Sequence, residues 1–124
     1  MLLIIGGAYQ GKLDYVKEVY PDKTVFHCGA ENPDIDLSAD IINALHLAAL
    51  AQIRAGTDPV LYLNDKLPEL DNKIIICDDI SCGVVPMDAE ARLWRESVGR
   101  CLNLLAKRAD EVVRVFCGIG SRIK

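Results

Sequence analysis

Residues 4–12 read Ile-Ile-Gly-Gly-Ala-Tyr-Gln-Gly-Lys, an apolar strand that runs directly into a glycine-rich segment ending in a lysine. Gly6, Gly7 and Gly11 can adopt backbone conformations that turn several N–H groups inward, and Lys12 adds a cation where the next helix begins. The spacing of Gly6, Gly11 and Lys12 matches all but the last position of the Walker A pattern, which binds phosphate. That last position is Leu13, where the pattern has a Ser or Thr whose hydroxyl binds Mg²⁺.

This segment predicts a loop that binds the phosphates of ATP or GTP. An ordinary glycine turn followed by a surface lysine is the alternative. The predicted nucleotide-binding residues follow one another along the chain: Gly6, Gly7, Ala8, Tyr9, Gln10, Gly11, Lys12 and Leu13.

Composition limits the classes of protein to consider. A chain of 124 residues with 51% hydrophobic residues predicts a single globular domain over residues 1–124. The net charge of −4 argues against a nucleic-acid partner, and the apolar runs are too short for a membrane helix, so a cytoplasmic protein is expected. An odd number of cysteines without a Cys-x-x-Cys pair favours buried, reduced thiols over metal or disulfide roles: Cys28, Cys77, Cys82, Cys101 and Cys117.

Apolar runs and helical spacing predict an alternating order of elements. Strands are expected at 2–5, 24–27, 73–77 and 111–117, followed by a glycine turn and a short tail. Helices are expected after the glycine loop, from Ser38 through the stripe at 41–53, from Thr57 or Asp58 to Pro68, and from Asp88 onward. The alternation predicts a three-layer α/β fold with a mainly parallel sheet, whose ligand site lies at the carboxyl ends of the strands.

Two acidic residues, Asp78 and Asp79, follow the strand predicted at 73–77. A carboxylate at a strand end can hold Mg²⁺ directly or through water, and one of the two could act as general base for a substrate hydroxyl. A solvated turn or a helix cap is the alternative. If this strand neighbours the first one, the acidic pair and the glycine loop face one cleft.

Two histidines are candidates for covalent catalysis, because an imidazole can accept a nucleotidyl group. His46 lies on the polar edge of the predicted long helix, and His27 ends a predicted strand. A structural role is the alternative for each. Trp94, on an apolar helical stripe, is expected in the core rather than as a stacking platform.

The chain resembles the adenosylcobinamide kinase/adenosylcobinamide-phosphate guanylyltransferase family of cobalamin biosynthesis. The resemblance rests on Gly-Gly-Ala at 6–8 with Gly-Lys at 11–12, Gly-Val-Val-Pro at 83–86, and the closing Cys-Gly-Ile-Gly-Ser-Arg-Ile-Lys at 117–124. Further matches are Glu-Ala-Arg at 90–92, Trp-Arg at 94–95 with Gly-Arg at 99–100, Leu-Leu-Ala at 104–106, and Ala-Asp-Glu-Val at 109–112. Together they cover about half of the chain.

The resemblance implies a P-loop NTPase-like fold that phosphorylates adenosylcobinamide with ATP or GTP and Mg²⁺, and then transfers GMP from GTP to that phosphate. The family's P-loop maps onto Gly6 to Leu13, and its Asn-Glu pair maps onto Asp78 and Asp79. Lys12 and Asp79 are therefore the expected catalytic residues and Asp78 and Asp79 the expected metal ligands, with either aspartate able to organise Mg²⁺ or accept a proton. The resemblance also implies a homo-oligomer, typically a trimer. Leu13 replaces the family's serine, and the family's segment around the guanylylated histidine is not recognisable. His46 lies at about the right distance from the loop to take that catalytic role. A catalytically reduced, nucleotide-binding accessory protein is the alternative.

Overall fold

The computed structural model describes residues 1–80 and 87–124 of the chain. Cys82 and the Gly-Val-Val-Pro segment at 83–86 lie outside the described residues. The elements in chain order are β1 (Leu2–Gly6), α1 (Lys12–Val19), β2 (Val25–His27), β3 (Ile41–Asn43), α2 (Leu45–Arg54), α3 (Pro59–Leu70), β4 (Ile74–Asp78), α4 (Ala89–Arg108), β5 (Glu111–Phe116) and β6 (Ile119–Arg122).

The strands form one sheet in the order β2-β3-β4-β1-β5-β6, parallel except for the β5–β6 pair. β1 lies between β4 and β5, so its apolar residues are enclosed by two parallel neighbours. In the register of β1 against β4, Gly6 pairs with Asp78. The expectation that the first strand and the strand at 73–77 are neighbours is therefore confirmed.

Helices cover both faces of the sheet, as the three-layer α/β prediction requires. On one face, Val16 of α1 packs against a cluster that includes Ile4, Ile76 and Val113. On the other face, Leu3 and its neighbours pack in a cluster with residues of α2, α3 and α4. Consecutive residues of a strand point to opposite faces, which explains why the runs in β1 and β4 are apolar at every position.

The prediction of one long helix from Ser38 onward is wrong, because residues 41–43 form β3. Ile41 and Ile42 are fully buried between β2 and β4, one on each face of the sheet. Their spacing from later apolar residues also fits a helix, so periodicity alone could not separate the two structures. Ser38 does not cap a helix but donates through its hydroxyl to Asp36, and α2 begins only at Leu45.

Two further boundaries differ from the prediction. Pro68 does not end α3, which continues to Leu70. Burial of Leu70 in the core outweighs the one hydrogen bond that a proline near the helix end removes. Residues 119–122, expected as a turn and tail, form β6 and pair antiparallel with β5.

The two predicted aspartate caps are confirmed. Asp58 and Asp88 cap α3 and α4, since their carboxylates accept hydrogen bonds from the backbone N–H groups two residues ahead at 2.9 and 2.8 Å. Among the described cysteines, Cys28, Cys77 and Cys101 are buried free thiols as predicted. Cys117 is a free thiol but is exposed, so the prediction of burial is wrong there, because the residue lies in the turn after β5 and not within the strand. Burial raises the pKa of both Cys28 and Cys101 to about 12.

No helix in residues 1–80 and 87–124 has the length and apolar character to cross a bilayer.

Gly6 occupies a position with no room for a side chain, because an added Cβ would lie 2.5 Å from the carbonyl oxygen of Val115 in β5. We expect Gly6→Ala to lower the free energy of unfolding by about 1–3 kcal/mol, the usual cost of overpacking. Urea denaturation measures this change.

The matched control is Gly99→Ala, because Gly99 lies inside α4 with nothing within 4 Å of an added Cβ. There we expect a gain of about 0.5–1 kcal/mol from helix propensity. Equal effects of the two substitutions would contradict the close approach of β1 and β5.

Candidate functional site

The glycine-rich segment forms a loop between the end of β1 and the start of α1. Gly11 caps α1 with φ 83°, and Tyr9 adopts φ 60°, a left-handed conformation that is uncommon for a residue with a side chain. The Tyr9 side chain is fully exposed, and Gly7 and Ala8 are also exposed. The loop therefore opens to solvent on the side away from the sheet.

The turn between β5 and β6 supports the loop from its other side. The N–H of Cys117 donates to the side-chain oxygen of Gln10 at 2.8 Å, and the N–H of Gly118 donates to the Gln10 carbonyl at 2.8 Å. A Cβ placed on Gly11 would lie 3.4 Å from the Cα of Gly118, so the two backbones are in close contact. These bonds fix the direction of the Gln10–Gly11 peptide.

Lys12 is not a surface lysine, because only 7% of it is exposed. Its Nζ donates to the carbonyl of Gly7 at 2.6 Å and forms an ion pair with Oδ1 of Asp78 at 2.6 Å. The first bond turns the ammonium group back into the glycine loop, and the second ties it to the end of β4. A buried ammonium group requires such partners, since desolvation of an isolated charge is costly.

His46 lies beside the same carboxylate, in the first turn of α2. The backbone N–H of Asp78 donates to Nδ1 of His46 at 3.2 Å, and Nε2 lies 3.4 Å from Oδ2 of Asp78. Burial lowers the pKa of His46 below its ordinary value, opposed by the Asp78 carboxylate and assisted by the Lys12 ammonium. Because Nδ1 accepts a hydrogen bond from the Asp78 N–H, the neutral form of the ring carries its proton on Nε2.

Asp79 has different surroundings from Asp78. Its N–H donates to the Gly6 carbonyl at 2.8 Å, and the residue lines a cavity of about 180 Å³ that adjoins the loop. The cavity also has an apolar wall, a guanidinium and an aromatic ring among its lining residues: Ile5, Gly6, Gly7, Gln10, Asp79, Arg114 and Phe116. The adjacent aspartates thus contact different groups, although one strand end carries both.

The remaining candidate site residues lie outside the group formed by Lys12, His46, Asp78 and Asp79. Leu13 is half-buried against the apolar cluster beneath α1. Trp94 packs against the core, as expected, and its Nε1–H donates to the His46 carbonyl at 2.7 Å. His27 is exposed at the end of β2, where its Nδ1 lies 3.1 Å from the Asn43 side chain, and β3 separates it from β4. Across residues 1–80 and 87–124, no three His, Cys, Asp or Glu side chains gather as a metal site.

Sequence reasoning missed the contribution of β5 and of the turn that follows it. Arg114 and Phe116 alternate with the buried Val113 and Val115, so an inside–outside pattern was present in the sequence. That pattern did not show that the exposed residues line a cavity beside the loop. The contacts of Gln10 with Cys117 and Gly118 had no signal, because hydrogen bonds to the backbone leave no trace in residue type.

The fold and the site define an α/β protein with a glycine loop and a buried lysine–aspartate pair at the carboxyl edge of a mainly parallel sheet. The model of the CobU family, described as cobinamide kinase/cobinamide phosphate guanyltransferase, matches residues 40–123. The chain belongs to this family. The match includes His46, Asp78, Asp79 and the β5–β6 turn, and it begins after the glycine loop.

A relative in Salmonella typhimurium, the bifunctional adenosylcobalamin biosynthesis protein CobU, is similar to part of the chain. The two are 39% identical over 51 residues, which are 41% of this chain and 28% of the relative. The alignment therefore covers less than a third of the length of the curated relative.

The Lys12–Asp78 pair generates a prediction about stability. Asp78→Asn leaves a buried ammonium without its counter-charge, and breaking a wholly buried pair costs about 3–5 kcal/mol. Because Asp78 is 20% exposed, we expect a smaller loss of about 1–3 kcal/mol in the free energy of unfolding. Adding Lys12→Met should recover part of the loss, which urea denaturation of the four proteins of a double-mutant cycle measures.

The exposed pair Lys66–Glu69, at 4.0 Å, provides the control. Glu69→Gln should change the free energy of unfolding by less than about 0.5 kcal/mol. Additive effects of Asp78→Asn and Lys12→Met would contradict the buried ion pair.

Proposed function

We propose that the chain is a P-loop nucleotide-binding protein of cobalamin biosynthesis that transfers a phosphoryl group from ATP or GTP to adenosylcobinamide. The observation that carries the proposal is the position of the Lys12 ammonium, which is held inside the glycine loop by Gly7 and at the carboxyl end of β4 by Asp78. Family membership and the Walker A spacing support the same proposal.

Phosphoryl transfer depends mainly on positioning and on stabilisation of charge. Lys12 would keep its ion pair with Asp78, exchange the Gly7 carbonyl for a phosphate oxygen of the nucleotide, and offer its third N–H to the phosphates as well. The free N–H groups at the start of α1 would add donors and a positive dipole end. Gln10, held by the β5–β6 turn, would keep the loop in this shape before the nucleotide arrives.

Asp79 is the residue that we propose as general base, because it lines the cavity beside Gly6 and Gly7. A hydroxyl of the acceptor in this cavity would lie next to the transferring phosphate and could give its proton to the carboxylate. A second activity, GMP transfer from GTP to the new phosphate, would use the same loop to hold the GTP phosphates.

The donor set at the end of β4 fits Mg²⁺. Asp78 and Asp79 offer hard carboxylate oxygens, and Mg²⁺ in nucleotide sites uses one or two carboxylates together with phosphate oxygens and water. We propose Asp78 as a direct ligand and Asp79 as a ligand through water, so that the Asp79 carboxylate can still accept a proton. When bound, the ion would neutralise charge on the phosphates.

A second candidate function is nucleotide binding without turnover, in an accessory or regulatory protein. Leu13 favours it, because an apolar side chain packed against the core supplies no hydroxyl to a metal ion.

Nucleotide affinity tests the loop. We expect Lys12→Ala to weaken binding of ATP or GTP at least about tenfold, equivalent to 1.4 kcal/mol, since a charge-assisted contact to phosphate is lost. Lys17→Ala on the same helix is the control and should bind like the wild type, because Lys17 is exposed in the last turn of α1. Isothermal titration calorimetry measures both. Absence of binding by the wild type at millimolar nucleotide would overturn the proposal.

Turnover separates the two candidate functions. We expect labelled phosphate to pass from nucleotide to adenosylcobinamide in the presence of Mg²⁺, and the transfer to be lost in Lys12→Ala. Binding without any transfer would contradict the kinase and support the accessory protein.

Leu13→Thr restores the missing hydroxyl at the start of α1. We expect Mg²⁺ to tighten nucleotide binding by a larger factor in Leu13→Thr than in the wild type, because the hydroxyl can join the coordination of the ion. Titrations with and without Mg²⁺ measure the two factors. Leu13→Val is the control, since it has nearly the same shape as threonine without the oxygen. Equal factors in all three proteins would show that position 13 does not reach the ion.

A further inference from the structure

Asp78 is contacted by His46 at two separate atoms. The Nδ1 atom of the ring accepts the backbone N–H of Asp78 at 3.2 Å, and Nε2 lies 3.4 Å from the Oδ2 carboxylate oxygen. The other carboxylate oxygen, Oδ1, pairs with Lys12 at 2.6 Å. One aspartate therefore lies between a histidine on α2 and a lysine on α1.

His46 is itself held in place from several sides. Its residue exposure is 9%, and Leu45 and Ala48 of the same helix are buried beside it. Its carbonyl accepts the Nε1–H of Trp94 at 2.7 Å, and the two ring centroids are 6.3 Å apart. The imidazole thus presents a fixed pair of nitrogens to the end of β4.

We infer that His46 is a positioning residue, which orients the Asp78 carboxylate so that Oδ1 faces Lys12 and thereby fixes the ammonium group inside the glycine loop. The terminal torsion of an aspartate is broad, so the carboxylate needs a second contact to hold one orientation. His46 supplies that contact at Oδ2 and anchors the backbone at the same residue. The consequence for nucleotide binding rests on the proposed function.

This role differs from that of a nucleotidyl acceptor. An acceptor imidazole must offer a nitrogen lone pair to the phosphate of the nucleotide. In His46 the Nδ1 lone pair accepts the Asp78 N–H, and Nε2 lies 3.4 Å from Oδ2, so both ring nitrogens face Asp78. The ring would have to leave Asp78 before it could attack.

Three substitutions of His46 separate its two contacts. His46→Leu keeps apolar volume and removes both contacts, His46→Asn keeps an acceptor near the Nδ1 position, and His46→Gln places a donor near the Nε2 position. Gln52→Leu is the matched control, because Gln52 is a buried polar residue of the same helix that donates to the Pro33 carbonyl. Within residues 1–80 and 87–124, its side chain forms no hydrogen bond with Lys12, His46 or Asp78.

Nucleotide affinity is the first measurement. We expect His46→Leu to weaken binding of ATP or GTP roughly tenfold, as for other residues that orient a binding group, and His46→Gln to recover most of that loss. Gln52→Leu should lower the melting temperature without changing affinity. Wild-type affinity in His46→Leu, with affinity lost in Lys12→Ala, would overturn the positioning role and leave the proposed function standing.

The second measurement does not require nucleotide. The coupling between Asp78→Asn and Lys12→Met, from the double-mutant cycle, should fall in a His46→Leu background and persist in the Gln52→Leu background. This result would support the positioning role even if the wild type bound no nucleotide. Unchanged coupling in His46→Leu would overturn it.

The third measurement tests the acceptor role directly. After incubation with GTP labelled in the α-phosphate, we expect any label that survives denaturation on the wild-type chain to survive equally on His46→Gln. Label that survives in the wild type and is absent in His46→Gln would overturn our inference in favour of a covalent intermediate.

Discussion

The pairing of β1 with β4 is the constraint on which the site depends. Their parallel register places Gly6 opposite Asp78, so the last residue of each strand lies at the same edge of the sheet. From there the chain turns one way into the glycine loop and the other way towards Asp79. A shift of one residue in this register would move the Asp78 carboxylate to the opposite face of the sheet, away from the helix that carries Lys12.

The stability of the fold does not by itself explain why a lysine is buried at this edge of the sheet. A well-packed apolar residue at position 12 could satisfy the same volume, and buried ion pairs are often no better for stability than apolar replacements. The Lys12 ammonium nevertheless has a carboxylate and a carbonyl as partners at 2.6 Å. Burial of a paired charge beside the glycine loop therefore supports our proposal that this loop binds an anion.

Much of the fold was predictable because the apolar runs at 2–5 and 74–77 have the length of strands and end at glycines or acidic residues, which favours buried strands over helices. The helix caps at Asp58 and Asp88 were predictable for a similar local reason, since each lies directly before a helical stripe. β3 was not, because its two isoleucines continue the spacing of the helix that follows. The convergence of Lys12 with Asp78 followed from topology, whereas the contacts of His46 depended on where α2 begins, a boundary that the sequence placed several residues too early.

The bonds from Gln10 to Cys117 and Gly118 link distant parts of the chain. The family match over residues 40–123 leaves out the glycine loop, yet it contains Asp78 and the turn at 117–118, which hold that loop. Groups in the matched region therefore hold the glycine loop, which lies outside that region. A substitution at Gln10 and a substitution at Gly118 therefore alter the same structural unit, although more than a hundred residues separate the two positions in the chain.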